Sequence, residues 1–273
     1  MVDITHDLIG RITGKRLPLL PEQLQQAKDF CAEQIKIGNL KVLGEIPDVL
    51  RRDWLDPTLD ATVRGRQHIK VQASEWRKAL EIQCGRVVEY SQRTHKHEKI
   101  SALLMWRAAL AFASSLDKRK IPMCHIEAKR DEATLKVFAP MSLDEDSKGA
   151  LRDRRDHVFI PDPMLATGVS SAFAIDMLKA FGVGNQEITL MCIVAAPEGI
   201  FHLLNHYPGI KIIAIALDSY LNESAYIMPG LGDAGEKYFN GNSLSNFSGM
   251  RHVFNDVQWS HLQHLLKKTN GNK

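Results

Sequence analysis

P-D-P-M-L-A-T-G-V-S-S, residues Pro161–Ser171, is the stretch on which the fold class turns. An apolar run (Val158, Phe159, Ile160) leads into it, and an amphipathic one (Ala174, Met177, Leu178, Phe181, closed by Gly182) leads out. The loop therefore joins a buried strand to a helix N-terminus. The first turn of a helix has unpaired N–H groups and the positive end of the helix dipole, so it attracts anions. Ala166, Thr167, Gly168, Val169 and Ser170 line that turn, and the small residues among them let a phosphate approach the backbone closely. Asp162, at the mouth of the loop, is placed to accept hydrogen bonds from vicinal sugar hydroxyls. Many ordinary βα turns are equally rich in Gly, Ser and Thr, so the loop alone leaves both readings open.

Working outward, Ile188–Ala196 and Ile210–Leu217 are nearly continuous in apolar residues, as parallel strands covered on both faces are. Strand alternating with helix predicts an α/β fold with right-handed crossovers. Ligands in such folds sit beyond the carboxyl ends of the strands. Asp162, Pro197-Glu198-Gly199, Asp218 and the glycine-rich stretch 229–235 all fall at that edge. Tyr226–Lys237, Y-I-M-P-G-L-G-D-A-G-E-K, is a second unusual loop, whose accessible backbone groups can read the edge of a planar ligand.

Upstream, Pro21, Leu24, Ala27, Cys31, Ile35 and Gly38 describe an amphipathic helix with a proline start and a glycine stop. A second helix is predicted over 74–92. Ser101–Leu116 is strongly apolar yet contains Arg107, which must either reach solvent or meet an anion. Ile121–Ile126 and Leu135–Phe138 are strand-like, with Lys129–Glu132 between them reading as a charged turn, and Asp144–Asp156 reads as an exposed loop. A short helix carrying Trp259, Leu262 and Leu266 closes the chain. His202 and His206, and likewise His95 and His97, have chelating spacings but no evident third ligand, and are read as surface histidines.

The 273 residues suit one large α/β domain with additions. A net charge of +3 argues against a nucleic-acid partner, which calls for a concentrated basic excess. No apolar run is long enough to span a membrane, no signal-peptide core occurs in residues 1–20, and four scattered cysteines suit buried thiols in a reducing compartment. The expectation is a cytoplasmic protein. Neither G-x-S-x-G nor G-x-x-x-x-G-K-[ST] is present.

D-P-M-L-A-T-G (162–168), A-A-P-E-G-I (195–200), L-N-E (221–223) and Y-I-M-P-G-L-G-D-A-G-E-K (226–237), in this order, resemble the uracil phosphoribosyltransferase family of the type I phosphoribosyltransferases. W-R-A-A-L (106–110) resembles the family's pyrophosphate-binding L-R-A-G-L, and K-R-D-E-A-T-L (129–135) its Y-R-D-E-E-T-L. The resemblance implies a parallel sheet flanked by helices with a glycine-rich base-binding hood. It divides the chain into a helical N-terminal extension (1–54), a phosphoribosyltransferase domain (55–241) and a C-terminal extension (242–273). It also implies a pentosyltransferase of pyrimidine salvage, in which uracil displaces pyrophosphate from phosphoribosyl pyrophosphate (PRPP) with Mg²⁺ to give UMP, and a homodimer or higher homo-oligomer. Carried across by position, Ala166–Ser170 would hold the 5-phosphate, Asp162 the ribose hydroxyls, and Arg107 and Arg130 the pyrophosphate. Tyr226, Ile227 and Gly232 would contact uracil, and Asp233 would orient the metal through water, or the base. The family's cis non-proline bond would fall at Arg107-Ala108.

Several positions depart from the family pattern. Val169 replaces the second glycine of A-T-G-G-S and would be strained by about 1–3 kcal/mol if its φ were positive. Ala109 replaces the glycine of R-A-G-L, and Lys129 stands where tyrosine is usual. These departures leave two alternatives beside the uracil reaction: a different acceptor in specialised metabolism, or a non-catalytic regulator that binds UMP or PRPP. At least one of the Leu24–Ile35 and Trp259–Leu266 helices, each with an apolar stripe, is expected to pack across or beside a homodimer interface.

Overall fold

The computed structural model describes residues 4–14, 16–51, 73–130, 137–141, 156–239 and 243–270. Ten strands are present among them: β1 (Leu40–Val42), β2 (Ile100–Trp106), β3 (Met123–Arg130), β4 (Val137–Met141), β5 (His157–Pro161), β6 (Met164–Leu165), β7 (Ile188–Ala195), β8 (Lys211–Leu217), β9 (Tyr220–Leu221) and β10 (Ile227–Met228). The helices are α1 (Ile4–Thr13), α2 (Pro21–Ile37), α3 (Asp48–Arg51), α4 (Ala73–Thr94), α5 (Ala113–Lys118), α6 (Val169–Ala180), α7 (Pro197–His206), α8 (Ala234–Phe239) and α9 (Asp256–Asn270). The main sheet runs β1-β8-β7-β5-β2-β3-β4, with β6 a short addition to β7. Every neighbouring pair is parallel except β3 with β4.

Period-2 alternation explains why the strand sequences are almost wholly apolar. Ala102, Leu104 and Trp106 of β2, with Met191 and Ile193 of β7, face α4 through Trp76, Leu80, Cys84 and Val88. Leu103, Met105, Leu190 and Cys192 face the other way, against Ala174, Ile175 and Leu178 of α6 and Ile200 and Leu203 of α7. Both faces are dry, so no polar side is left to produce an alternating pattern. The four cysteines are free and buried. Burial pushes the Cys31 thiol up to about 12, with the Glu198 carboxylate adding to the shift.

The strand and helix expectations hold, with local corrections. α2 begins at Pro21 and stops at Gly38, whose φ of 83° closes the helix in the left-handed region. Lys129 and Arg130 continue β3 rather than opening a turn, and the backbone of Arg130 pairs with Val137. Of the expected exposed loop, residues 144–155 lie outside the described residues. The N-terminal segment also contributes to the main sheet, because Leu40, Lys41 and Val42 pair in parallel with Ile212, Ile213 and Ala214 of β8.

Most of the apolar stripe of each terminal helix is covered within the chain, with Ile35 left exposed, which weakens the reason for assigning these helices to a dimer interface. Ala27 packs with Leu8, Ile12, Leu19 and Phe201, while Leu262 and Leu266 join the large core on the α4 side. The rings of Phe30 and Phe201 meet edge to face at 5.0 Å, fastening α2 to α7.

Candidate active site

Because β2, β5, β7 and β8 are parallel, the segments following them emerge at one edge: Arg107 after β2, Asp162 after β5, Pro197 after β7 and Asp218 after β8. The loop after β5 enters α6 through Gly168, whose φ is 77°. A Cβ there would lie 3.0 Å from Leu203 Cγ and 3.2 Å from the Gly199 carbonyl oxygen, so glycine is required both by conformation and by space. The left-handed residue is thus Gly168. Val169 is the first residue of α6, in helical conformation, and the strain expected of it is absent because the turn is completed one residue earlier.

Helix geometry leaves the N–H groups of Val169, Ser170 and Ser171 without partners inside α6, while Ala172 makes the first intrahelical bond, to the Gly168 carbonyl. These groups, with the half-exposed Ala166 and the buried Thr167, form a backbone cradle for an anion. The cradle is braced from behind by α7. A Cβ on Gly199 would come within 2.2 Å of the Ala166 carbonyl oxygen, so α7 starts directly against the loop. His202 Nδ1 lies 2.7 Å from the Thr167 carbonyl and donates to it, because a carbonyl only accepts. His202 is only 5% exposed, correcting its assignment to the surface, and burial lowers its pKa despite the Thr167 bond. His206, on the same helix, is exposed.

Asp162 accepts from the Met164 N–H through Oδ1 at 3.2 Å and from the Ser171 hydroxyl through Oδ2 at 3.1 Å. Both carboxylate oxygens are thereby oriented beside the cradle. One strand over, Arg107 follows a cis Trp106-Arg107 bond, one bond before the expected Arg107-Ala108. Trp106 Nε1 donates to His125 Nδ1 at 3.0 Å, which fixes the indole beneath this turn. Arg107 Nη2 lies 2.6 Å from Glu236 Oε1, with each side chain 34% exposed. The guanidinium therefore reaches the glycine-rich loop and is held by a partner that a stronger anion can replace.

In the glycine-rich stretch, β9 and β10 form a small antiparallel pair, Ile227 opposite Leu221 and Met228 opposite Tyr220. Buried Glu198 accepts from the Leu221 N–H at 2.8 Å, tying this hairpin to the start of α7. Tyr226 N–H donates to Asn222 Oδ1 at 2.9 Å, Ile227 is buried, and Gly230 and Gly232 have φ of 61° and 71°. Asp233 Oδ1 accepts the Glu236 N–H at 2.8 Å, as a cap on α8 does.

Two features of this edge escape a sequence reading. Asp218 accepts the Gly230 N–H at 2.8 Å and a bidentate pair from Arg51 at 2.6 and 3.0 Å, so α3 of the N-terminal segment is anchored to the hood. The His202–Thr167 bond is the other. Thus Arg107, Asp162, the 166–170 cradle and the 226–233 loop share one edge of the molecule. The Arg130 side chain lies outside the described residues, although its backbone ends β3 at the same edge.

A parallel sheet that closes a phosphate-sized backbone cradle beside an oriented carboxylate, with a guanidinium one strand away, is organised as a type I phosphoribosyltransferase. The family model for uracil phosphoribosyltransferase matches residues 72–241, and the chain belongs to that family. The uracil phosphoribosyltransferase of Lactiplantibacillus plantarum is 39% identical over 160 residues, covering 56% of this chain and 71% of the relative. That of Streptococcus uberis is 48% identical over 116 residues, covering 42% of this chain and 52% of the relative. A solved protein structure from Aquifex aeolicus superposes with a TM-score of 0.55 at 22% identity, covering 72% of this chain and 97% of its own, a likeness of fold.

Proposed function

We propose that the chain transfers the 5-phosphoribosyl group of PRPP to uracil, giving UMP and pyrophosphate. The observation that carries this reading is the cradle at Ala166–Ser170 with Asp162 oriented at its mouth, in a chain whose family model spans Arg107, Asp162, the cradle and the 226–233 loop. The cradle takes the 5-phosphate through backbone N–H groups, and Asp162 accepts from the ribose hydroxyls. Arg107 leaves Glu236 to meet the pyrophosphate, and Arg130 is assigned the same partner. Ile227 and Gly232 present backbone groups to the N3–H and two carbonyls of uracil, leaving N1 to face C1, and Tyr226, whose own N–H and carbonyl are bonded to Asn222, is assigned to flank the base.

As the bond from C1 to the pyrophosphate oxygen breaks, positive charge builds on the ribose and negative charge on the leaving group. A fixed guanidinium there lowers the barrier by electrostatic preorganisation. Uracil N1 forms the new bond to C1 as the C1–O bond breaks, and the N1 proton passes to solvent. Mg²⁺ held by the diphosphate would neutralise part of the leaving group's charge, and Asp233, with Oδ1 committed to its own backbone turn and Oδ2 left, is assigned to orient it through water. A cytoplasmic location and a homodimer belong to this reading, the first supported by four buried free thiols and the second by family resemblance alone.

Incubation with PRPP, Mg²⁺ and a panel of bases, with products identified by mass, tests the proposal. UMP formation confined to uracil is expected. Product with another base, or ligand binding with no turnover, overturns it in favour of a different acceptor or a regulator.

A further inference from the structure

Away from the substrate edge, the amino ends of the strands bring together a second group of side chains. α4 ends at Thr94, the chain turns through His95-Lys96-His97-Glu98, and β2 begins at Ile100, which pairs with His157 at the start of β5. One ligand atom each from His95, Glu98 and His157 then lie within 4.8 Å of one another. His157 is buried, His95 half-buried and Glu98 exposed, so the group opens to solvent on its carboxylate side.

We propose that His95, Glu98 and His157 bind one zinc ion, with water completing a four-coordinate shell. Two imidazoles and a carboxylate are a donor set zinc takes readily, whereas Mg²⁺ and Ca²⁺ favour oxygen ligands. The outer hydrogen bond selects the ligating nitrogen of His95 and is compatible with ligation through Nδ1 of His157. His95 Nδ1 lies 2.8 Å from the Ser91 carbonyl, which can only accept, so Nδ1 bears the proton and Nε2 keeps its lone pair. His157 Nε2 lies 2.8 Å from the Thr189 hydroxyl, and donation to that oxygen leaves the Nδ1 lone pair facing Glu98 Oε2 at 3.2 Å. In that tautomer a cation lying against both groups offsets the repulsion between the lone pair and the carboxylate oxygen. Fixing a histidine ligand through its other ring nitrogen is the usual outer-shell arrangement of metal sites.

Zinc binding draws the donor atoms to about 3.3–3.5 Å apart, as bonds of about 2.0–2.1 Å in a tetrahedron require. Rotation of the exposed Glu98 side chain supplies most of that movement, and the His95 ring, set against the His157 ring at 3.9 Å between centroids, tilts away about its Ser91 hydrogen bond while buried His157 stays in place. The ion joins the carboxyl end of α4 to the amino end of β5. It lies at the opposite edge of the sheet from Arg107 and Asp162, so its role is to brace the fold rather than to take part in group transfer.

The competing arrangement has Thr189 donating to His157 Nε2 and His157 Nδ1–H donating to Glu98, with no metal. Tag-free full-length protein, stripped with chelator, is titrated with zinc chloride by calorimetry and with cobalt by absorption spectroscopy. One zinc per chain with micromolar or tighter affinity is expected, together with a rise in Tm and a cobalt spectrum of four-coordinate type. His95→Ala and Glu98→Ala, both outside the buried core, should each weaken binding at least tenfold, while His97→Ala and His206→Ala should not. Absence of saturable zinc binding, or unchanged affinity in the His95→Ala/Glu98→Ala double variant, overturns the proposal and leaves a hydrogen-bonded cluster.

Discussion

Arg107 shows how much of the site one residue decides. Its pair with Glu236 is a third exposed on both sides, and such pairs contribute about 0–1 kcal/mol to stability. Arg107→Ala should therefore barely move the unfolding midpoint, yet lower kcat/KM for PRPP by about 10²–10³-fold, the scale of losing one charge-stabilising donor. Steady-state kinetics beside a urea melt checks both halves, and unchanged kinetics would reduce Arg107 to a partner of Glu236. Gly168 sets the opposite balance. With φ at 77° and Leu203 Cγ 3.0 Å from any added Cβ, Gly168→Ala should cost about 1–3 kcal/mol in a denaturant melt and raise the KM for PRPP. Val169→Gly should gain nothing, since Val169 is already helical. The sequence reading places a candidate positive φ at Val169; the structure puts it at Gly168, because the residue that bears it depends on where α6 begins, and boundaries of that kind are set by the cap.

At the scale of elements, the helices and central strands were legible because their signals are local: Pro21 and Gly38 bound α2, and unbroken apolar runs mark β7 and β8. The braces between elements were not. His202 reaches Thr167 across 35 residues, and Arg51 reaches Asp218 across 167, separations that no periodicity records. Each brace carries a prediction. His202 has its pKa lowered from 6.5 by burial, so the unfolded chain binds a proton more readily than the folded one. Its contribution to stability is complete above about pH 6.5 and is lost as pH falls below that, by at most about 1.4 kcal/mol per pH unit. Melts between pH 7.5 and pH 5 should show a steeper acid loss for the native chain than for His202→Gln, and parallel curves would mean that the histidine is not buried in solution. Arg51→Met should destabilise by about 3 kcal/mol, because Asp218 is left buried with only the Gly230 N–H among these bonds. Its kinetic mark should be a rise in KM for uracil larger than that for PRPP, since the hood is the element Arg51 secures. Equal rises would place the effect on the whole edge.

For the whole molecule, the N-terminal segment is the part whose role the structure changes most. The amphipathic helix ahead of the family-matched region suggests an interface, but Leu8 and Ile12 of α1 and Ala27 and Phe30 of α2 pack with Phe201 of α7, and β1 extends the sheet beside β8. α7 is the same helix whose start presses on the phosphate cradle and whose His202 holds Thr167. Removing residues 1–44 would strip β1 from β8, uncover Phe201 and Ile212, and delete the Cys31 contact with the Pro197 carbonyl. Burying a large apolar side chain is worth about 1.5–3 kcal/mol, and in a domain of this size each kcal/mol moves Tm by about 2–4 °C. The truncated chain should therefore lose well over about 10 °C in Tm and bind PRPP more weakly, because the helix behind the cradle loosens. Light scattering should show the mass falling only by the deleted segments, with the number of subunits unchanged. A truncated protein that keeps its Tm but halves its subunit number would reverse this assignment and make α1 and α2 the interface after all.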